Sequence, residues 1–535
     1  MRAIFKQKKY LIALLMLATA AALLAHLSWQ GEVVGFVADD AVYLLLADYF
    51  SPYSHQLRQG AAFVSQHGVF PPAYPLFLSL FGADSYHVYY AHVLTTLVVL
   101  GALWACARNL VASGSTFALA AAYLVVFFLL PRTLLQHVEL LSEPLYLLLS
   151  MLALAKYQSL DVKRDTHGVY WIAVFVCLAT LTRTAGVALL FAFIFWQCSS
   201  AGKNRVWGSL LLAIVPLLIW EALKVLIYAQ PKNYSQDLLN TYGLHDTGAL
   251  IRKIGQNFSA LWTGWRQYID VNAQFSSLPA SILLPACALP ALIVRLKQLR
   301  MDAIYFVLYL AMILMWPYPD HTARFLYPVI PLALFYVLIS ISWLHEKKWR
   351  SYLHGLTLGL TILAAAPSTV QILHKSIARD DGVLGNYGKT LALYKSTESL
   401  LTVENNVRIV RELTKAMQIS GKLIPEGECV YATHFEMFMF FGKRYSRPIT
   451  DNDVRNKMRV NSPDCRYLFV NWSTSHPYIK PGYPLNETPL RHSILYEHLA
   501  PFPSAPDGMK GLVAQLVELL PTDVDAVASQ PRRPK

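Results

Sequence analysis

Runs of about twenty apolar residues recur along this chain, and such runs fold stably only where they meet hydrocarbon or each other. The first extends from Leu11 to about Trp29, behind an N-terminus carrying Arg2, Lys6, Lys8 and Lys9. Others lie near 87–107, 115–131, 141–157, 169–182, 184–199, 206–228, 278–295, 301–316, 324–344 and 352–370. The chain is 55% hydrophobic and 15% charged. A soluble domain carries about 25% charge and could not solvate this much apolar surface. The sequence therefore predicts an α-helical polytopic membrane protein with about eleven transmembrane helices.

The formal charge of +13 does not point to nucleic acid, because the basic residues sit in short loops between apolar runs. Arg108, the Lys156–Arg164 loop, Lys203 with Arg205, the Arg295–Arg300 loop and Lys347–Arg350 alternate with loops poor in Lys and Arg. The first long loop, 30–86, has one basic residue, Arg58. This bias places the N-terminus in the cytoplasm and the C-terminus outside. The N-terminal layout is also that of a signal peptide, but no clear small-x-small site follows, and both readings put the next segment outside. Within loop 30–86, Val42–Phe50 and Leu57–Val64 read as stretches lying along the membrane surface.

The expected division is a membrane domain over 1–370 and an extracytoplasmic α/β domain over 371–535. In the latter, β-like runs (Glu428–Tyr431, Tyr467–Trp472) alternate with helical ones (Leu400–Ser420). Cys429 and Cys465 fall in this part and are able to form a disulfide if it is exported. The other four cysteines lie in or beside apolar runs, as small core residues do. Four Asn-x-Ser/Thr sequons, at Asn233, Asn257, Asn471 and Asn486, all fall in segments placed outside.

Four polar motifs stand out against the apolar background. Asp39 and Asp40 follow the first run; one alone would be an ordinary helix cap. Two adjacent carboxylates among apolar residues suit a general base and its orienting partner, or a metal. Glu143 precedes a proline in Ser142-Glu143-Pro144-Leu145-Tyr146, where a carboxylate is favourable at a helix start for structural reasons alone. Arg183, in Thr182-Arg183-Thr184, is wedged between two apolar runs and must snorkel outward or pair with an anion. His321 and Arg324 stand three apart before a late run, on the side where the positive-inside bias does not place arginine. A guanidinium there suits a phosphate, though it also suits an interfacial anchor.

These motifs, in this order, resemble the integral-membrane glycosyltransferases of the GT-C fold, particularly bacterial relatives of the protein O-mannosyltransferases and of the lipid A aminoarabinose transferase. The matching residues are Asp39-Asp40, Pro71-Pro72-Ala73-Tyr74-Pro75, Ser142 to Tyr146, Thr182 to Gly186, and His321-x-x-Arg324-Phe325-Leu326-x-Pro328. They span roughly residues 1–345. The chain departs from the family in having Asp40 where the second acid is usually Glu, and Thr184 where proline is usual. The resemblance implies a sugar carried on a polyprenyl phosphate and transferred outside, in a bacterial inner membrane, to a glycan, lipid or protein acceptor. Asp39 or Asp40 would be the base, Arg324 with Arg183 would hold the donor phosphate, and Glu143 and His321 would orient these groups. A divalent metal at Asp39 and Asp40 is compatible with the pattern, though no residue requires it. The competing reading is a transporter or flippase for a lipid-linked or anionic substrate, which would place polar groups mid-membrane in broken helices and paired repeats. No repeat is visible here.

Overall fold

The computed structural model describes residues 2–28, 39–53, 70–112, 115–160, 165–199, 206–227, 247–270, 277–316, 322–378, 400–449, 465–472, 482–485, 490–501 and 510–520. By contacts the chain divides into two compact units, one within 1–33 and 46–396, the other within 34–45 and 397–535.

The first unit is helical: α1 (Arg2–Ser28), α2 (Asp39–Phe50, whose residues from Leu46 on group here), α3 (Ala73–Leu80), α4 (Val88–Ala112), α5 (Phe117–Leu129), α6 (Pro131–Val138), α7 (Glu143–Gln158), α8 (Thr166–Thr182), α9 (Gly186–Ser199), α10 (Trp207–Ile227), α11 (Thr247–Ile269), α12 (Leu278–Lys297), α13 (Met301–Leu314), α14 (Thr322–Leu326), a 3₁₀ turn (Tyr327–Val329), α15 (Ile330–Ser342) and α16 (Lys347–Ala378). A helix coincides with each expected apolar run. Among the described residues five are long and apolar enough to cross a membrane: Val88–Ala112, Trp207–Leu226, Leu278–Lys297, Thr322–Ser342 and Lys347–His374. The pair α5 and α6 passes the same test together but is bent by 72° at its break, as a broken span or a re-entrant loop is. Helices such as Gly186–Ser199, with 14 residues, rise only about 21 Å, short of a hydrocarbon core of about 30 Å. The apolar outer face of α10 (Leu211 63%, Leu218 60% and Val225 72% exposed) repeats every seven residues, as a lipid-facing stripe does. This is an integral membrane protein.

One expectation changes. Val42–Phe50 does not lie on a surface: it belongs to α2, where Ala41 to Asp48 are buried, because seven of those eight side chains are apolar and pack inward. Thr247–Ile269, which is not among the expected apolar runs, is also a helix. Its residues Asn257, Gln267 and Tyr268 are buried while Ile251 and Phe258 are exposed, an amphipathic pattern that its scattered Tyr, Trp and Asn disguised. Leu57–Val64 lies outside the described residues.

Polar pins fix the helices where apolar packing alone leaves freedom to slide. Asn109 on α4 donates to the Met151 carbonyl on α7 at 2.8 Å. Arg295 at the end of α12 grips Asp302 at the start of α13 through two 2.7 Å bonds, and Tyr336 on α15 donates to the same carboxylate at 3.0 Å. Asn257 on α11 donates to the carbonyls of Leu314 and Trp316, both at 2.8 Å, capping the end of α13. That sequon asparagine is buried, as is Asn471, so neither is open to a glycosylating enzyme in the folded chain.

The second unit contains a five-stranded sheet in the order β2-β1-β3-β5-β4. Its strands are β1 (Val430–Ala432), β2 (Ser446–Pro448), β3 (Tyr467–Asn471), β4 (His492–Pro501) and β5 (Lys510–Leu519). β1 runs parallel to β2 and β3, while β5 is antiparallel to both β3 and β4. Alternation along β3 sends Tyr467 and Phe469 into one apolar cluster with Leu413, Met417 and Phe438, and Leu468 and Val470 into another with Val517. The first cluster is closed by α17 (Leu400–Leu423) and α18 (Phe435–Gly442). These two helices meet so closely that a Cβ on Gly421 would sit 1.9 Å from the Gly442 carbonyl oxygen, a contact that glycine alone permits. Cys429 and Cys465 form a disulfide. Glu412 on α17 takes a bond from Lys415 at 2.7 Å and meets His498 on β4 at 2.9 Å, which in turn meets the Tyr496 hydroxyl at 2.7 Å.

Candidate active site

Three charged side chains from distant parts of the sequence converge in the first unit. Glu143 opens α7 with Pro144 behind it, a residue whose fixed φ and missing N–H suit a first helical turn. Arg183 ends α8 in extended conformation (φ −147°, ψ 141°), because the chain must reverse at once into α9. Gly186 makes the reversal fit: a Cβ there would lie 2.5 Å from the Thr180 Cα, and its N–H donates to the Arg183 carbonyl at 2.8 Å. Arg324 lies in the short helix α14.

Both guanidiniums meet the same carboxylate oxygen. Arg183 Nη1 lies 2.5 Å from Glu143 Oε1, and Arg324 Nε donates to that oxygen as well. Glu143 Oε2 accepts no hydrogen bond among the described residues. Side-chain exposure is 1% for Glu143, 4% for Arg324 and 10% for Arg183, so Arg183 is the member that solvent reaches. Arg183 also donates to the Ser142 hydroxyl at 3.3 Å. The Phe325 ring centroid lies 5.4 Å from the Arg183 guanidinium carbon and 5.9 Å from that of Arg324, within cation–π range of both. Two guanidiniums thus converge on one buried carboxylate, an arrangement that offsets the cost of burying it.

The surrounding helices hold the segment bearing Arg324 by its backbone. Gln136 on α6 donates to the Arg324 carbonyl at 3.1 Å and accepts from the Tyr268 hydroxyl of α11. Tyr309 on α13 donates to the Phe325 carbonyl at 2.9 Å. Tyr146, the last residue of the Ser-Glu-Pro-Leu-Tyr motif, meets the Tyr305 hydroxyl at 3.0 Å and donates to the Ala185 carbonyl at 3.4 Å, tying α7 to the turn after Arg183. A second buried pair, Arg132 and Glu139 at 3.8 Å, lies on and just after α6. Gln136, Tyr268 and Tyr309 were not singled out from the sequence. A glutamine in an amphiphilic stretch or a tyrosine in a hydrophobic run signals nothing by itself until its partner is known.

Asp39 and Asp40 form the first turn of α2 and group with the second unit. Asp39 is partly exposed. Asp40 is 2% exposed, and its Oδ1 accepts from the Ala41 N–H at 2.7 Å. Both carboxylates have partners. Among the described residues no three His, Cys, Asp or Glu side chains converge as metal ligands. His321 lies outside the described residues.

No protein-family model matches this sequence, and no curated protein does. Among solved structures the chain is similar to ArnT from Cupriavidus metallidurans bound to undecaprenyl phosphate, at 13% identity and a TM-score of 0.44, over 91% of this chain and 98% of that one. The same protein in its apo state gives 12% identity and a TM-score of 0.45. Arabinofuranosyltransferase AftD from Mycobacteria matches at 12% identity and a TM-score of 0.44 over 96% of this chain, which spans 40% of the length of AftD.

Proposed function

We propose that this protein is a GT-C-type glycosyltransferase that moves a sugar from a polyprenyl-phosphate carrier to an acceptor hydroxyl at the extracytoplasmic face of a bacterial inner membrane. The observation that carries this reading is the pairing of Arg183 and Arg324 with a single carboxylate in the first unit. The Arg183 side chain keeps 10% exposure, and planar guanidinium is suited to phosphate oxygens. In a membrane-embedded protein, a lipid phosphate is the anion that can approach such a locus with its apolar tail still in the bilayer.

In this mechanism the acceptor oxygen attacks the anomeric carbon and its proton passes to a carboxylate of the Asp39–Asp40 pair. The bond between C1 and the phosphate oxygen breaks with its electron pair on that oxygen, inverting the anomeric centre. Arg324 and Arg183 stabilise the charge that develops on the leaving phosphate. The greater exposure of Asp39 supports it as the base. The Cys429–Cys465 disulfide supports an oxidising, extracytoplasmic site for the second unit.

The transporter reading draws on one observation, the 72° break between α5 and α6, since broken helices line transport sites. One assay separates the two. Membranes holding wild type or the Asp39→Asn/Asp40→Asn double variant are given radiolabelled polyprenyl-phosphate sugars and crude envelope extract. Release of polyprenyl phosphate by wild type alone is the expected result. Release by neither, with both proteins folded, would favour transport, and equal release by both would remove the acidic pair from the chemistry.

A further inference from the structure

Arg324 sits in a helix that cannot complete its own hydrogen bonds. α14 has five residues and runs into the 3₁₀ turn that carries Pro328. In a continuing α-helix the Arg324 carbonyl would accept from the N–H four residues on, and Pro328 at that position has none. A buried carbonyl then takes its donor from elsewhere. Gln136 on α6 supplies it, its Nε2 donating to the Arg324 carbonyl at 3.1 Å. The other end of that amide accepts from the Tyr268 hydroxyl on α11. An amide has one donating end and one accepting end, so the phenol fixes which of them faces Arg324. Gln136 is 1% exposed and Tyr268 is fully buried.

Resting on the function set out above, we propose that Gln136, oriented by Tyr268, is a positioning residue for the transfer. It holds the Arg324 backbone so that the guanidinium meets the phosphate oxygen on which charge develops. Neither residue need touch the substrate. Two neighbouring features serve the same end. The 72° bend that begins α6 at Pro131 sets Gln136 beside α14. α11 also approaches α14 directly, since a Cβ on Gly264 would lie 3.0 Å from the Ala323 Cα.

The physical need for such a device lies in the arginine itself. Its guanidinium stands on a long stem with many rotamers, and Glu143 holds only the head. Gln136 holds the other end, at the backbone. With both ends held, the stem has little freedom left, and displacement of a stabilising group by about 1 Å costs about 10²-fold in rate. The charge that Arg324 meets appears as the bond from sugar to phosphate breaks. Its misplacement therefore acts on kcat, with the KM for the donor nearly unchanged.

The test is release of polyprenyl phosphate by the full chain in nanodiscs, per folded molecule, with polyprenyl-phosphate sugars titrated against a fixed amount of envelope extract. Gln136→Met keeps the length of the side chain and removes both its donor and its acceptor. It is expected to lower kcat by about tenfold to 10²-fold, with the donor KM within about twofold of wild type. Tyr268→Phe keeps the ring and lets the amide turn, and is expected to lower kcat by about threefold to tenfold. In an Arg324→Ala background neither change should reduce kcat further, because a residue that acts through the guanidinium has nothing left to position. The inference is overturned if both single variants keep the wild-type kcat, if only the donor KM moves, or if the losses persist undiminished in the Arg324→Ala background. Should Gln136→Met not fold, Tyr268→Phe and its double variant decide alone. Wild-type turnover in Arg324→Ala itself would remove the arginine from the proposed function, and this inference with it. No release by wild type removes the function as a whole.

Discussion

At Glu143 the structure offers a carboxylate whose removal and whose partners' removal should act differently. Arg324→Ala deletes a donor that the proposed transition state uses and leaves a buried anion with one partner fewer. Turnover should drop by about 10²–10³-fold, measured as polyprenyl phosphate released per folded protein. Arg183→Lys keeps the charge but loses the planar guanidinium whose Nη1 meets both Glu143 and Ser142. Its turnover should fall between those of wild type and Arg324→Ala. An Arg324→Ala variant with wild-type turnover would detach the cluster from the chemistry. The Asp39 and Asp40 variants differ in another way. Asp40 is almost fully enclosed and Asp39 is not, so Asp39→Asn tests chemistry while Asp40→Asn also disturbs the first turn of α2.

At the level of elements, the helices are held in register by a few polar pins, and those on the opposite side of the argument from the active site test the packing independently. Asp302 is fully buried and receives Arg295 bidentately together with Tyr336. Asp302→Ala removes the partner and leaves the guanidinium half-enclosed between α12 and α15, stacked 5.2 Å from Phe335. Breaking a buried pair on one side costs about 3–5 kcal/mol, and the arginine's residual exposure puts this case at the low end of that range. The expected outcome is a clear fall in the thermal midpoint of the detergent-solubilised protein, with donor affinity per folded molecule unchanged. No loss of stability would mean that apolar packing alone sets the α12–α13 hairpin.

On the scale of the whole molecule, the second unit should respond to acid in two stages. Burial pushes the His434 imidazole below its ordinary value, with Glu436 opposing. The unfolded chain therefore takes up that proton first, and stability is lost as pH falls through the usual histidine range near 6.5. Burial raises the Glu412 carboxyl, but hydrogen bonds from Lys415 and His498 outweigh it and hold the group below the usual carboxylate range. Its contribution is present above about pH 4.3, the unfolded value, and is lost below it as the carboxylate is protonated. Hydrogen exchange of the β3, β4 and β5 amides in the full chain should report faster opening at pH 5.5 than at pH 7.5, and a further increase below pH 4. Protection factors, corrected for the intrinsic pH dependence of exchange, that are flat across both windows would show that neither group matters to the unit.

Reading the chain by composition and periodicity located the helices well, because hydrophobic runs and the period of a buried strand are local properties that survive in any context. Leu400–Ser420 and Tyr467–Trp472 show this in the second unit, where α17 and β3 occupy nearly the same residues. Motif order also singled out Glu143, Arg183 and Arg324. The amphipathic α11 escaped because its buried face is made of Asn257, Gln267 and Tyr268, polar residues whose burial depends on partners supplied by other helices. For the same reason Gln136 and Tyr268 carried no signal until Arg324 stood next to them. What the sequence by itself determined is the class of molecule, a membrane helical protein with a β-containing second unit, and the identity of its unusual charges. Only the tertiary structure decided that two arginines share one oxygen of Glu143. That pairing joins residues 181 positions apart, and electrostatic contact depends on distance in space, which no local pattern along a chain encodes.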